Sequence, residues 1–351
     1  MKWPVRMLLC LLCAATIVAM PFVFSAPNML GEVKMELMNS DEGGDGDGEE
    51  IDFGRLLFSS ALADELEEET IAEEEGFFSH PEWALPLDFT VPPAPNASLY
   101  TEDGYEDESI RVKLETRQID EGTVATIAHV QIARADQLRT AVGNPEKLAS
   151  TRTKSVSAMA RANHAVIAMN GDNYVDQPTK TTFEYRMTNK IRSKTNRTKD
   201  ILMIDEAGDF HLFIQSQGVK EFAEELKARG GTLVNAFTFG PALVKDGQLM
   251  TIDDNYGYNP HGREPRAAIG QTGPLSYVMV IVSARDRSGS SGLSQKALGE
   301  LMYDLGCVQA FNLDGGNSAE MCFGETIIKG MPGGSERGLS DIIYFATGVP
   351  E

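Results

Sequence analysis

Cysteine is scarce in this sequence, with four in 351 residues, and four is too few for a disulfide framework. Cys10 and Cys13 sit in the apolar N-terminus, while Cys307 and Cys322 fit either two buried free thiols or one disulfide. No cysteine or histidine cluster suggests structural zinc. Long apolar runs are missing beyond residue 26, which excludes a polytopic membrane protein. A Walker loop, a dinucleotide glycine fingerprint and a Gly-x-Ser-x-Gly elbow are missing too. Basic charge is short overall, at 31 Lys and Arg against 52 Asp and Glu. That deficit is local. Residues 32–108 hold 24 acids and two bases, so Ser109–Glu351 is close to neutral at a net −1. With no basic face in bulk and an acidic arm, nucleic acid is not an expected partner.

What is present divides the chain into three. In residues 1–26, Lys2 and Arg6 precede the apolar run Met7–Ala26, the order of an export signal or an uncleaved anchor. Either places the remainder outside the cytoplasm, secreted or held at the membrane by this segment alone. Residues 27–99 carry Asp41–Glu50, Asp64–Glu75 and the Pro-rich Val91–Pro95, the composition of a solvated, self-repelling spacer. The Asp/Gly run lacks the Gly and Glu positions of a calcium loop.

Residues 100–351 form the folded unit. Ile110–Thr116 and Val124–Ile132 alternate with period two around the turn Asp120–Gly122. Lys154–His164 reads as a helix feeding the buried strand Ala165–Met169. Ile201–Ile204 and Phe210–Ile214 read as a hairpin, and Val219–Arg229 as a helix closed by Gly230 and Gly231. Tyr277–Val282 is a strand covered on both faces. Ser294 caps a helix that stops at Gly306, and Val308–Leu313, Ala319–Phe323 and Asp341–Ala346 complete the strands. The fold class is α+β, with twisted, largely antiparallel or mixed sheets and flanking helices.

Chemistry concentrates in Ala310–Ala319. A strand delivers Asn312 and Asp314 on one face, then breaks into Gly315 and Gly316, whose amides can cradle an anion, with Ser318 adding a hydroxyl. A plain hairpin turn at Asp-Gly is the alternative. Asn170, Gly171 and Asp172 repeat the pattern after the strand ending at Met169. Together the two strand ends can bring a pair of carboxylates into one cleft, as glycoside chemistry requires. Arg266 and Arg337 each precede an apolar strand, where a buried arginine needs a phosphate, a carboxylate or a structural ion pair. Phe239–Gly247 reads as a strand with two turns. Among the five histidines, His261 in its loop is the one placed for catalysis.

In this order Ala168–Asp172, Phe239–Gly247, Pro265–Gly270, Leu305-Gly306, Asn312–Ser318 and Arg337 resemble the phosphodiester glycosidase family. The resemblance runs from about Ser150 to the end of the chain, and more faintly from Tyr100. It departs from the family pattern at Ala267, at Asn317 and at Ser283-Ala284, where the family often carries Asp-Gly. The resemblance implies hydrolysis of a sugar 1-phosphodiester between the anomeric carbon and the phosphate oxygen. Asp314 and Asp172 would be the catalytic carboxylates. Asn170, Gly171, Arg266, Asn312, Gly315, Gly316, Ser318 and Arg337 would hold sugar and phosphate. No cofactor is called for, and a divalent-metal requirement and the oligomeric state are left open. With an extracytoplasmic location, the expected substrate is a phosphodiester of a cell-envelope glycan. The rival expectation is a surface module that binds anionic wall glycan without cleaving it.

Overall fold

The computed structural model describes residues 87–176, 181–283, 291–329 and 336–349. The chain divides into Met1–Glu68 and Glu69–Glu351, and every described residue belongs to the second unit. The expected anchor and most of the expected spacer lie outside the described residues, as does Ala284. Among the described residues, no helix is long and apolar enough to cross a membrane.

The first five strands are β1 (Gly104–Glu106), β2 (Ile110–Asp120), β3 (Thr123–Ile132), β4 (Leu138–Val142) and β5 (Ala165–Asn170). Next come β6 (Phe183–Arg186), β7 (Asn189–Ser193), β8 (Ile201–Asp205), β9 (Phe210–Phe213) and β10 (Leu233–Phe237). After them run β11 (Ala242–Lys245), β12 (Gln248–Leu249), β13 (Arg266–Gly273) and β14 (Ser276–Val282). The last four are β15 (Gln309–Leu313), β16 (Met321–Phe323), β17 (Thr326–Lys329) and β18 (Asp341–Ala346). Helices α1 (Val156–Ala162), α2 (Val219–Ala228) and α3 (Gln295–Asp304) precede β5, β10 and β15.

Three sheets result. An eight-stranded sheet runs β1-β2-β3-β14-β13-β15-β11-β12, and two five-stranded sheets run β7-β6-β10-β8-β9 and β17-β16-β5-β18-β4. Every strand pairing among the described residues is antiparallel, which resolves the expected "antiparallel or mixed" α+β fold. The β2–β3 and β8–β9 hairpins fall where the alternation and turns place them. The helices follow their local signals. Ser155 Oγ caps α1 through Ala158 N–H, Ser294 Oγ caps α3 through Ala297 N–H, and Gly306 takes the left-handed φ of 77° that ends α3.

One core joins the sheets. Met279 and Phe311 of the first, Leu202 and Phe237 of the second, and Met169 and Ile343 of the third all pack in a single buried cluster. On the first sheet's other face, α3 buries Leu298 and Met302 against Leu243 and Val280. Cys307 and Cys322 are separate, buried free thiols, and burial pushes both up to about 12, so neither is a nucleophile near neutrality.

The end of the expected spacer is instead attached to the folded unit. Asp88 N–H donates to Asp136 at 2.9 Å, the Pro92 carbonyl meets His164 Nδ1 at 2.8 Å, and Asn96 N–H donates to the Tyr105 hydroxyl at 3.2 Å. These contacts give the backbone at Asp88, Pro92 and Asn96 partners in the fold, which a spacer's backbone would leave to water.

Candidate active site

The strand ends of all three sheets meet at one place: β5 and the start of β18 from the third sheet, β6 and the end of β10 from the second, β15 from the first. Two asparagines tie them. Asn170 Nδ2 donates to the Asp314 carbonyl at 2.6 Å and the Gly171 carbonyl at 2.9 Å, and its Oδ1 accepts Glu320 N–H at 3.2 Å. Asp314 N–H donates to the Gly171 carbonyl at 3.3 Å. Asn312 Nδ2 donates to the Gly240 carbonyl at 2.7 Å, joining β15 to the approach to β11. The two Asn-x-Asp strand ends therefore do converge, although they belong to different sheets. The same contacts rule out the hairpin alternative at Asp314-Gly315, because β15 and β16 lie in different sheets and the turn Gly316–Ser318 carries the chain across.

Beneath this junction lies a buried carboxylate nest around Arg186. Its Nε and Nη2 donate to Asp341 Oδ2 at 3.0 and 2.8 Å, and Nη2 also donates to Asp172 Oδ1 at 2.7 Å. Nη1 donates to the carbonyls of Tyr185 and Ala236. All five N–H groups are thus committed, and the guanidinium lies 3.9 Å over the Phe237 ring. Burial opposes its charge, but the carboxylates of Asp172 and then Asp341 outweigh that and raise its pKa. Glu184 approaches Nη2 at 3.1 Å but finds no proton left there, and neither of its oxygens has a well-formed hydrogen bond to an N–H. Burial, then the neighbouring Asp172 charge, drive Glu184 far above the usual carboxylate range. Glu184 is accordingly the acid of the nest that holds its proton most tightly, and Arg186 is its cation. Asp172 fills its second oxygen with Thr238 N–H at 3.3 Å, so it sits fully buried inside the nest.

The rim above is different. Asp314 is half-buried, and burial pushes its carboxyl up to about 7 against the pull of Ser318, Arg337 and Asn173. Arg337 is more than a third exposed, with Nη2 on Asp176 at 2.6 Å and Nη1 on Ser318 Oγ at 3.3 Å. Asn173, in left-handed backbone at φ 48°, donates to Asp176 at 3.0 Å and accepts Ser340 N–H at 3.1 Å. Asp314, Ser318 and Arg337 are therefore brought together. Glu320, close by and 1% exposed, is pushed up to about 8 by burial and by Glu336.

Six of the expected ligands make structural contacts within the fold. Arg266 is buried and donates to four carbonyls: Leu293 at 2.9 Å, Tyr258 at 3.0 Å, Asn259 at 2.7 Å and Gly262 at 3.0 Å. It meets the demand of a buried arginine with main-chain oxygens, not with a phosphate or an acid, and desolvation lowers it to about 10. Gly316 N–H donates to the Pro265 carbonyl at 2.9 Å, which removes it from the anion cradle. Gly315 lets that backbone close in, since a Cβ there would stand 2.5 Å from the Pro265 oxygen. Gly171 is a spacer of the same kind: a Cβ would stand 2.0 Å from Asp341 Oδ2 and break the nest. Asn170 and Asn312 are the cross-ties already described. His261 is exposed and faces Asp254 at 3.2 Å.

Glu184, Arg186, Asp341 and Asp176 belong to no motif singled out in the sequence, and Asn173 directly follows Asp172 in the second strand-end motif without a role being assigned to it. One signal was available. Glu184 and Arg186 stand two apart in a short strand, so both charges share a face, and a strand bearing charges inward needs a partner for them. Among the described residues no group of three or more His, Cys, Asp or Glu is arranged to hold a metal ion. A shallow depression lined by Thr195, Arg197, Gln215 and Lys220 shares no residue with this site, which is defined by its chemistry and not by depth.

The zebrafish N-acetylglucosamine-1-phosphodiester alpha-N-acetylglucosaminidase catalytic domain, auto-inhibited by its pro-peptide, matches at TM-score 0.53 and 13% identity over 73% of this chain and 87% of that one. At that identity the likeness concerns the fold. A hypothetical protein from Synechocystis matches at TM-score 0.47 and 15% identity, over 68% of this chain and 62% of its own. The SPbeta prophage-derived uncharacterized protein YomE of Bacillus subtilis (strain 168) is 33% identical over 109 residues, 31% of this chain but only 17% of that protein's length. The phosphodiester glycosidase profile matches residues 163–346, just over half of the chain and the span from β5 to β18 that supplies the whole junction. With that span and that fold, the chain belongs to the phosphodiester glycosidase family.

Proposed function

We propose that this protein hydrolyses a sugar 1-phosphodiester, breaking the bond between the anomeric carbon and the phosphate oxygen. The observation that carries the proposal is the rim: a half-buried carboxyl, Asp314, beside an accessible arginine, Arg337, with the Ser318 hydroxyl between them. Arg337 exchanges its surface partner Asp176 for the substrate phosphate, a charge-assisted contact that a diester's single negative charge matches. Ser318 Oγ adds a second polar group. Asp314 then lies where it can act at the anomeric carbon, as base for water or as nucleophile. The departing phosphate monoester has a conjugate-acid pKa of roughly 6, far below the ~15.7 of water. A dedicated acid for the leaving group is therefore unnecessary. Asp172 contributes from beneath, holding the nest and its negative field under Asp314 and touching no substrate.

The substrate class in the cell is a finer proposal: a phosphodiester of an envelope glycan, met outside the cytoplasm. It is supported by the charge-then-apolar order of residues 1–26 and the acidic run that follows. Protease added to intact cells should then degrade the chain.

The test is direct. Purified protein is incubated near pH 8 with an aryl diester of a glycosyl 1-phosphate. Free sugar and the aryl phosphate should appear together. A rival reading as a binding module is favoured by Ser283, which stands where the family often carries Asp. Folded protein that binds the diester but releases neither product would establish that rival.

A further inference from the structure

Arg266 and Tyr258 have no part in the proposed hydrolysis, yet one holds the loop that carries the other. Tyr258 and Asn259 both adopt left-handed backbone, at φ 56° and 52°, a conformation a tyrosine takes only under constraint. The constraint is visible: the carbonyls of Tyr258, Asn259 and Gly262 all accept from the Arg266 guanidinium. Gln295 Nε2 adds a bond to the Gly257 carbonyl at 3.0 Å. So held, the Tyr258 ring stacks on Phe239 with centres 4.0 Å apart and planes 14° from parallel, and the Lys199 ammonium lies 4.1 Å from the Tyr258 ring centre.

Phe239 fixes where that ring can be. The residue before it, Thr238, donates its N–H to Asp172, and the residue after it, Gly240, accepts from Asn312, two positions before Asp314. At the base of the loop, the Pro265–Arg266 backbone presses on Gly315, the residue after Asp314. Both ends of the device therefore abut the two strand ends that carry the carboxyls. The phenol oxygen is buried there, and its pKa is raised first by that burial and then by the charges of Asp172 and Asp314.

We propose that Tyr258 is a cover that shields the Asp172–Asp314 pair from water, and that Arg266 is the positioning residue that holds the cover in place. The proposal deepens the hydrolase reading and rests on it only where turnover is measured. Ser318, Arg337 and Asn173 pull the Asp314 carboxyl down and Asp172 pushes it up, while burial exceeds each of them. The Tyr258 ring, neutral and apolar, supplies part of that burial. Removing it admits water and favours the ionised form.

Carboxyl carbon-13 resonances of aspartate-labelled protein test this without any substrate, the Asp314 signal being the one lost in Asp314→Asn. The parent signal should titrate near 7. Tyr258→Phe keeps the ring and should hold the midpoint within about half a unit, whereas Tyr258→Ala should lower it by about one unit or more. Arg266→Ala should act in the same direction, and the double variant should go no further than the larger single change. Where Arg266→Ala does not fold, Arg266→Lys serves, because it keeps the charge but cannot span four carbonyls. An unmoved midpoint in Tyr258→Ala overturns the cover, and a parent midpoint in Arg266→Lys removes Arg266 from it. With a diester substrate, the acid limb of kcat/KM should follow the resonance. A moving resonance in a protein that turns over no diester sinks the hydrolase reading and leaves the cover standing.

Discussion

Arg186 and Arg337 meet carboxylates under opposite conditions. Arg186 is buried with all five donors committed to Asp172, Asp341 and two carbonyls, over the Phe237 ring. Arg337 stands at the rim with one ion pair and one hydroxyl, both open to exchange. The residue types are the same, but only the second can admit a ligand. A saturated arginine organises a fold, and an unsaturated one at a surface can bind. The nest therefore determines where the carboxyls sit, and the rim determines what happens to a substrate.

The largest effect separating the two regions should come from Arg186. Arg186→Met leaves Asp172 and Asp341 buried without their cation, a loss worth about 3–5 kcal/mol when one partner of a buried pair is removed. Urea unfolding should show it, and a loss below about 1 kcal/mol would mean that the nest is not what joins the three strand ends.

Asp314→Asn should come next. It should lower turnover of the glycosyl phosphodiester at least ~10²-fold, the low end for a lost acid–base group. Stability should move the other way. The folded-state pKa of Asp314, about 7, lies above its ordinary 3.8, so the parent loses stability as pH rises through that window. Asn does not titrate, so the variant should gain on the parent at pH 8 and not at pH 4. For the same reason, parent activity should fall below about pH 7 as the carboxyl protonates. Parent-level turnover in Asp314→Asn would reduce the residue to part of a sheet-to-sheet crossing.

Arg337→Ala should weaken binding of a sugar 1-phosphate by roughly 1.5–3 kcal/mol, the worth of a hydrogen bond to a charged group. The fold should persist, since the side chain is well exposed. Arg266→Ala is the contrast. Any loss there should come through the loop it clamps and the cover over Asp314, and not through a missing phosphate contact. Calorimetric titration of both variants would separate them, and equal loss of affinity with unchanged loop structure would restore Arg266 as a phosphate ligand.

The two arginines also mark how far the sequence could be read. Elements with local signals were legible: Asp120–Gly122 between alternating runs gave the β2–β3 hairpin, and Ser294 with Gly306 bracketed α3. Asp172 and Asp314 were legible as strand-end acids, and Arg337 and Ser318 as their neighbours. What those acids touch was not. Arg266 obeyed the rule that a buried arginine needs partners, but the partners were carbonyls of a loop close by in sequence, whose left-handed backbone carries no such label. Arg186 and Asp341 lie 155 positions apart, and Asp314-Gly315 looked like a hairpin because its crossing between sheets is a non-local fact.

The smallest effect should be at Glu184, and it tests the charge state of the nest. With Arg186 saturated, an ionised Glu184 would be a buried charge lacking a donor, which costs several kcal/mol per ion. A protonated Glu184 instead has one O–H to give to Asp172, and its pKa is shifted strongly upward as that requires. Glu184→Gln replaces one neutral donor with another of nearly equal size, so stability near pH 7 should change by less than about 1 kcal/mol. The pH dependence sharpens the comparison. In the parent, stability tied to the Glu184 proton is fully present below the ordinary glutamate pKa of 4.5 and is lost as pH rises through its elevated folded value. The variant has no proton to lose, so its stability should hold better than the parent's toward alkaline pH. A large loss in Glu184→Gln at pH 7 would instead make Glu184 an ionised partner of Arg186, and the nest would carry three negative charges against one.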